Sequence, residues 1–137
     1  MTQTGVRAAL DAFDRYFVAS DADGLTGMFE DDGQLLLQER EALRGHAAIR
    51  AHWLQFFGAY DASSWRATIE QLDVHGDDAY SLSTYTETLV HRQGDPSRIV
   101  SGRLICFLRR DAADAWRIRL LMNAHVRPVE EVPATGV

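Results

Sequence analysis

Two pairs of side chains carry the chemical interest of this 137-residue chain: Tyr85 with Glu87, and Asn123 with His125. Alternate residues of an extended strand share a face, so a spacing of two sets a donor beside a proton carrier. An imidazole changes charge near neutral pH, which makes His125 a candidate general acid or base with Asn123 as a neighbouring donor. A carboxyl taken out of water keeps its proton to higher pH, so Glu87 gains an acid–base role if its face is the concave one. That strand carries Ala79, Ser81, Ser83, Tyr85, Glu87 and Leu89 on one side, and Tyr80, Leu82, Thr84, Thr86, Thr88 and Val90 on the other. On the last strand periodicity allows two inward sets, Leu121, Asn123 and His125, or Leu120, Met122 and Ala124.

The elements that must position these groups follow a simple order. Val6, Leu10, Phe13 and Phe17 fall at helical steps, with Asp11 and Arg15 as an i,i+4 pair on the polar side. Ser20-Asp21-Ala22-Asp23-Gly24 is cap and turn chemistry; Leu25, Met28 and Phe29 then mark a short second helix ended by Glu30-Asp31-Asp32-Gly33. Residues 34–38, with three consecutive leucines, predict a short buried strand or a lead into one, and a turn follows over 39–45. A third helix spans 46–60 with Ile49, Trp53, Phe56 and Phe57 on one arc. From Trp65 to Val126 the pattern is strands: 64–74, 79–91, 98–109 and 116–126, separated by turns at 75–78, 92–97 and 110–115. The phase change between Trp65, Ala67, Ile69 and Leu72, Val74 predicts a bulge near Glu70-Gln71. Helices first and strands afterward predict an α+β fold, one sheet with its helices on one face and a pocket between. The chain reads as a single domain over 1–137 with a frayed, flexible tail over 128–137.

Composition narrows the class. Hydrophobic residues at 46% and charged residues at 25% match a soluble globular protein, no apolar run is long enough to span a bilayer, and the first twenty residues have no secretory pattern. The expected location is the cytoplasm. A net charge of −6 without a basic cluster argues against nucleic acid as partner. All 14 cationic side chains are arginine, a bias expected of a GC-rich bacterial genome. The one cysteine, Cys106, excludes an internal disulfide, and the scattered histidines give no metal spacing, so neither metal nor cofactor is expected. Cys106, beside Ile105 and Phe107, reads as a small buried hydrophobe. His46 belongs to the helix start, His52 to a satisfied edge position, and His75 and His91 to exposed turn margins.

Several strings taken in order resemble a known family: Ser20-Asp21-Ala22-Asp23-Gly24-Leu25 through Phe29-Glu30-Asp31-Asp32-Gly33, Leu43-Arg44-Gly45-His46-Ala47-Ala48-Ile49, Ser101-Gly102-Arg103 and Trp116-Arg117-Ile118. Together they resemble the SnoaL-like proteins of the nuclear transport factor 2 and ketosteroid isomerase superfamily. The resemblance implies a cone-shaped, strongly curved antiparallel (mixed) sheet covered by three N-terminal helices, a deep cavity, and a homodimer through the outer sheet face. It also implies a bulge after Ile118, which selects Leu121, Asn123 and His125 as inward. Beside an isomerase, the general base falls on Leu37, the helix-one tyrosine on Phe13 and the buried acid on Cys106. None of these can abstract a proton or hold an oxyanion, so steroid isomerase activity is not carried over.

The expected ligand is therefore a small hydrophobic, carbonyl-bearing molecule. Its wall is Phe13, Tyr16, Phe17, Leu37, Trp53, Phe57, Tyr85, Cys106 and Leu121, with His125, Asn123 and Glu87 as the catalytic candidates. The chemistry is cofactor-free proton transfer of cyclase, dehydratase or isomerase type; the alternative is a non-catalytic binding or dimerisation module of the same fold. Epoxide hydrolysis is a weaker third reading, because its arginine would be Arg103, on the face opposite Cys106.

Overall fold

The computed structural model describes residues 3–94 and 96–132. Helices α1 (Thr4–Val18), α2 (Ala22–Gly27) and α3 (His46–Ala59) cover a sheet of β1 (Phe29–Leu36), β2 (Leu43–Arg44), β3 (Tyr60–Asp61), β4 (Arg66–His75), β5 (Asp78–His91), β6 (Ser97–Arg110), β7 (Trp116–His125) and β8 (Glu130–Val132). The strand order is β2-β1-β7-β6-β5-β3, with β4 also on β5 and β8 also on β6. Every pairing is antiparallel except β1 with β7, which makes the sheet mixed. The sheet curls strongly around the helices, so the α+β cone expected from the chain is the fold observed.

The helices form where the apolar spacing demands. Val6, Phe13 and Phe17 of α1 and Ile49, Trp53 and Phe57 of α3 are buried against the sheet. Asp21 caps α2, its carboxylate accepting from the Gly24 N–H at 2.9 Å. At the expected place in β4 the register slips between Ile69 and Gln71, leaving Glu70 as the extra residue. In β7 the pairing passes from Ile118 opposite Leu108 to Leu120 opposite Phe107, so Arg119 is bulged. That slip turns Leu121, Asn123 and His125 onto the concave face.

Two expectations need correction. Residues 30–33 are not a turn closing α2; they lie within β1, where the register against β7 shifts between Phe29 and Gln34 and absorbs the acidic residues. The tail is not frayed throughout. The Val126 N–H donates to the Ser101 carbonyl at 3.0 Å, and β8 then pairs Glu130, Glu131 and Val132 with Ile99, Arg98 and Ser97, prolonging the line of β7 along β6. Residues 133–137 of that expected tail lie outside the described residues. Among the described residues no helix is long and apolar enough to cross a membrane.

Candidate functional site

Between the helices and the concave face lies a cavity of about 300 Å³. Phe13 and Phe17 of α1, His52, Trp53 and Phe56 of α3, Trp65, and Leu89, Val100, Leu104 and Leu121 of the sheet make most of its wall. Aromatic packing holds that wall rigid: the Phe17 and Trp65 ring centres are 4.5 Å apart, and Trp65 stacks on Tyr85 at 4.8 Å. The Trp65 indole N–H is tethered to Asp14 at 2.8 Å.

Polar groups enter this apolar space from the sheet, from α3 and from the loop after β1. Asn123 is clamped on both sides, its Oδ1 accepting from the Gln38 N–H at 2.8 Å and its Nδ2 donating to the Tyr85 hydroxyl at 3.1 Å. The Gln38 side chain returns to β7 by accepting from the His125 N–H. With its lone pair engaged by Asn123, Tyr85 keeps its O–H for another acceptor. Tyr85 sits opposite Gly102, and a Cβ there would come within 2.6 Å of the Tyr85 oxygen and 2.7 Å of the Ala124 carbonyl. Glycine at 102 is what lets the phenol lie across β6.

Glu87 is buried two residues beyond Tyr85, and one oxygen of its carboxyl has no partner. Burial pushes that carboxyl up to about 8. Burial first, and the Glu87 charge last, also raise the Tyr85 phenol, while the Asn123 contact works the other way. His52 lies on the buried arc of α3 and accepts at Nδ1 from Arg40 Nη1 at 2.8 Å, since a guanidinium can only donate. Burial first, and the adjacent guanidinium second, hold this imidazole down at about 4. It is therefore neutral near pH 7, with its proton on Nε2.

Of the residues expected to form the site, Phe13, Phe17, Leu37, Trp53, Tyr85, Glu87, Leu121, Asn123 and His125 line the cavity. Three expected wall residues do not. Tyr16 turns toward α2, where a Cβ on Gly24 would come within 2.4 Å of its ring. Phe57 packs into the core against Phe17 and Trp53 at 5.4 and 5.9 Å. Cys106 lies two residues beyond Leu104 on β6, on a separate chamber of about 30 Å³ with Ser81, Ser83 and Asp14, its thiol pushed up to about 12 by burial. Arg103 is exposed, on the other face of β6 from Cys106. His52 is not an edge residue; it belongs to the 49, 52, 53, 56 and 57 arc, a helical spacing that could have placed it inside.

Arg40, Trp65 and Arg98 also line the cavity without having been singled out. Arg98 shares the alternate-residue parity of Val100 and Leu104, which was the available signal. Arg40 sits in a loop, where no periodicity exists. Among the described residues no three His, Cys, Asp or Glu side chains converge as a metal-binding group.

A curled mixed sheet roofed by three helices around an apolar cavity with a few inward polar groups defines a cone-shaped α+β domain with an internal cavity. The sequence profile of the SnoaL-like domain matches residues 6–119, and the chain belongs to that family. Solved structures agree in fold. A ketosteroid isomerase-like protein from Erwinia carotovora atroseptica superposes with a TM-score of 0.84 at 19% identity, covering 91% of this chain and 96% of that one. A candidate scytalone dehydratase from Novosphingobium aromaticivorans gives 0.76 at 10% identity, covering 98% and 93%. An NTF2-like protein with a cystatin-like fold from the same organism gives 0.68 at 16%, covering 90% and 81%. No functionally curated protein matches the chain in sequence.

Proposed function

We propose that this protein binds a small hydrophobic, carbonyl-bearing molecule in its cavity and moves a proton on it without a cofactor, in the manner of a cyclase, dehydratase or isomerase. The observation that carries this reading is the pairing of Glu87 and Tyr85: a buried carboxyl with an unpartnered oxygen beside a phenol whose lone pair is already occupied. The Tyr85 O–H is the donor for the substrate oxygen, where negative charge gathers as a neighbouring C–H loses its proton. Glu87 takes that proton and returns it; with its carboxyl near 8, roughly a tenth is ionised at pH 7, and that fraction grows with pH. Asn123 is a positioning residue that acts through Tyr85. His52, its Nδ1 already filled by Arg40, serves as a donor rather than a base. His125 lines the same cavity and is the second proton carrier.

The test needs no knowledge of the natural substrate. In D2O, exchange of the α-protons of 2-tetralone followed by NMR runs faster with the wild-type protein than with buffer, and the protein-dependent rate rises with a midpoint near pH 8 and levels off about a unit above it. Glu87→Gln returns it to background. Bound 2-tetralone with no acceleration would leave the rival reading, a non-catalytic binding module, which the apolar Leu37 and Phe13 on the wall favour. A His125→Ala variant with undiminished exchange removes His125 from the mechanism while sparing Glu87.

We also infer a homodimer through the outer sheet face. Two cross-strand rows there, Tyr80-Phe107-Leu120 and Leu82-Ile105-Met122, are apolar and only half-buried or, at Phe107, 44% exposed.

A further inference from the structure

The chain is acidic, with a net charge of −6, yet the wall of its cavity has the opposite sign. Arg40 and Arg98 both line it, and Glu87 is the one carboxyl among the described lining residues. Among the described residues, neither arginine makes an ion pair with a carboxylate. Arg98 stands opposite Glu131 in the β6–β8 register without pairing to it, and both are exposed.

Arg40 is held by a partner that does not neutralise it. Glu39 adopts a left-handed backbone (φ 63°), and the Arg40 N–H donates to the Leu37 carbonyl at 3.2 Å, closing a turn that brings the guanidinium onto α3. There it donates to His52 Nδ1. A carboxylate in that place would fix the guanidinium and cancel its charge; a neutral imidazole fixes its direction and leaves the charge for something else. A buried histidine and a left-handed backbone thus fix one cation, itself exposed to solvent, at the mouth of an apolar cavity. Glu87, kept protonated by its surroundings, does not compete for it.

We propose that the ligand is an amphipathic carboxylic acid, its apolar body between Phe17, Trp53 and Trp65 and its carboxylate drawn to Arg40, with Arg98 as a second cationic arm. This rests on the reading of the cavity as a ligand site and names the substrate class: a carbonyl compound that also bears an acid group, oriented with its carbonyl toward Tyr85. The charge also sets orientation, because the carboxylate at Arg40 decides which end of the molecule reaches Glu87.

Calorimetric titration of the full chain at pH 7 and low salt with 2-naphthoate, and with its neutral isostere 2-naphthamide, tests it. The expected result is about tenfold tighter binding of naphthoate, a preference that shrinks as salt is added. Arg40→Gln lowers naphthoate affinity far more than naphthamide affinity, so that the preference collapses. Arg40→Lys keeps part of it, because the charge stays and the planar fork is lost. Equal binding of the two probes by the wild type, or an Arg40→Gln loss shared equally by both, overturns the acid assignment and leaves the cavity reading intact. Failure of both probes to bind overturns the cavity reading and the acid assignment together.

Discussion

Glu87 and His52 are two buried titratable groups whose protons respond to the fold in opposite directions. Glu87 keeps its proton up to about 8 rather than the ordinary 4.5, so between those values the unfolded chain has released a proton that the folded chain retains, and stability falls as pH rises. His52 is held at about 4 rather than 6.5, so between those values the unfolded chain binds a proton that the folded chain refuses, and stability rises with pH. The two slopes oppose each other over the shared range, and from 6.5 to 8 only Glu87 acts. Urea denaturation across that upper window should show stability falling by up to about 1.4 kcal/mol per pH unit. Glu87→Gln should flatten it. A wild-type curve already flat there would mean the carboxyl is solvated. Tyr85 with Glu87 and Asn123 with His125 all line the cavity; that each pair shares a face follows from strand alternation, which is local, whereas which face meets a cavity is not.

At the scale of elements, Gly102 and Phe13 show how strands and helices shape the space. Gly102→Ala places a methyl against the Tyr85 hydroxyl and the Ala124 carbonyl, so β6 or Tyr85 must move. We expect a loss of roughly 1–3 kcal/mol in thermal or urea unfolding and a broken Tyr85–Asn123 contact, visible as a drop in proton-exchange rate larger than the loss of ligand affinity. Phe13 of α1 is shared by the main cavity and the small chamber behind it, together with Leu104 and Leu121. Phe13→Ala joins the two spaces at a cost of about 3–5 kcal/mol, and should raise affinity for a ligand longer by one ring relative to the wild type. Equal affinity in the two proteins would mean the chamber collapses instead. The bulge near Glu70 was readable because the apolar phase changes within the strand; the shift inside β1 was not, because 30–33 carries turn-like acidic residues and a glycine with no alternation to count.

For the whole molecule, the inferred dimer has its own test. Light scattering after size exclusion should give twice the 15.4 kDa chain mass, and Phe107→Glu, placing a charge in the centre of the apolar rows, should give the single-chain mass with the fold retained by circular dichroism. A wild-type protein of single-chain mass at tens of micromolar would remove the dimer. Because α1 and α3 cover the other face of the sheet, the variant charge leaves the cavity's lining untouched, and binding of 2-naphthoate should persist.

By itself the chain determined the order of helices and strands, the alternation that divides each strand into two faces, and the family, because these are carried by spacing between near neighbours. Only the tertiary structure decided which face of β5 and β6 lines the cavity, that His52 turns inward, and that a loop arginine and a strand arginine meet the same cavity. Those contacts join residues as far apart as Gln38 and Asn123. The curl of the sheet brings such positions together, and a curl is the sum of many small twists and bulges that no local pattern records.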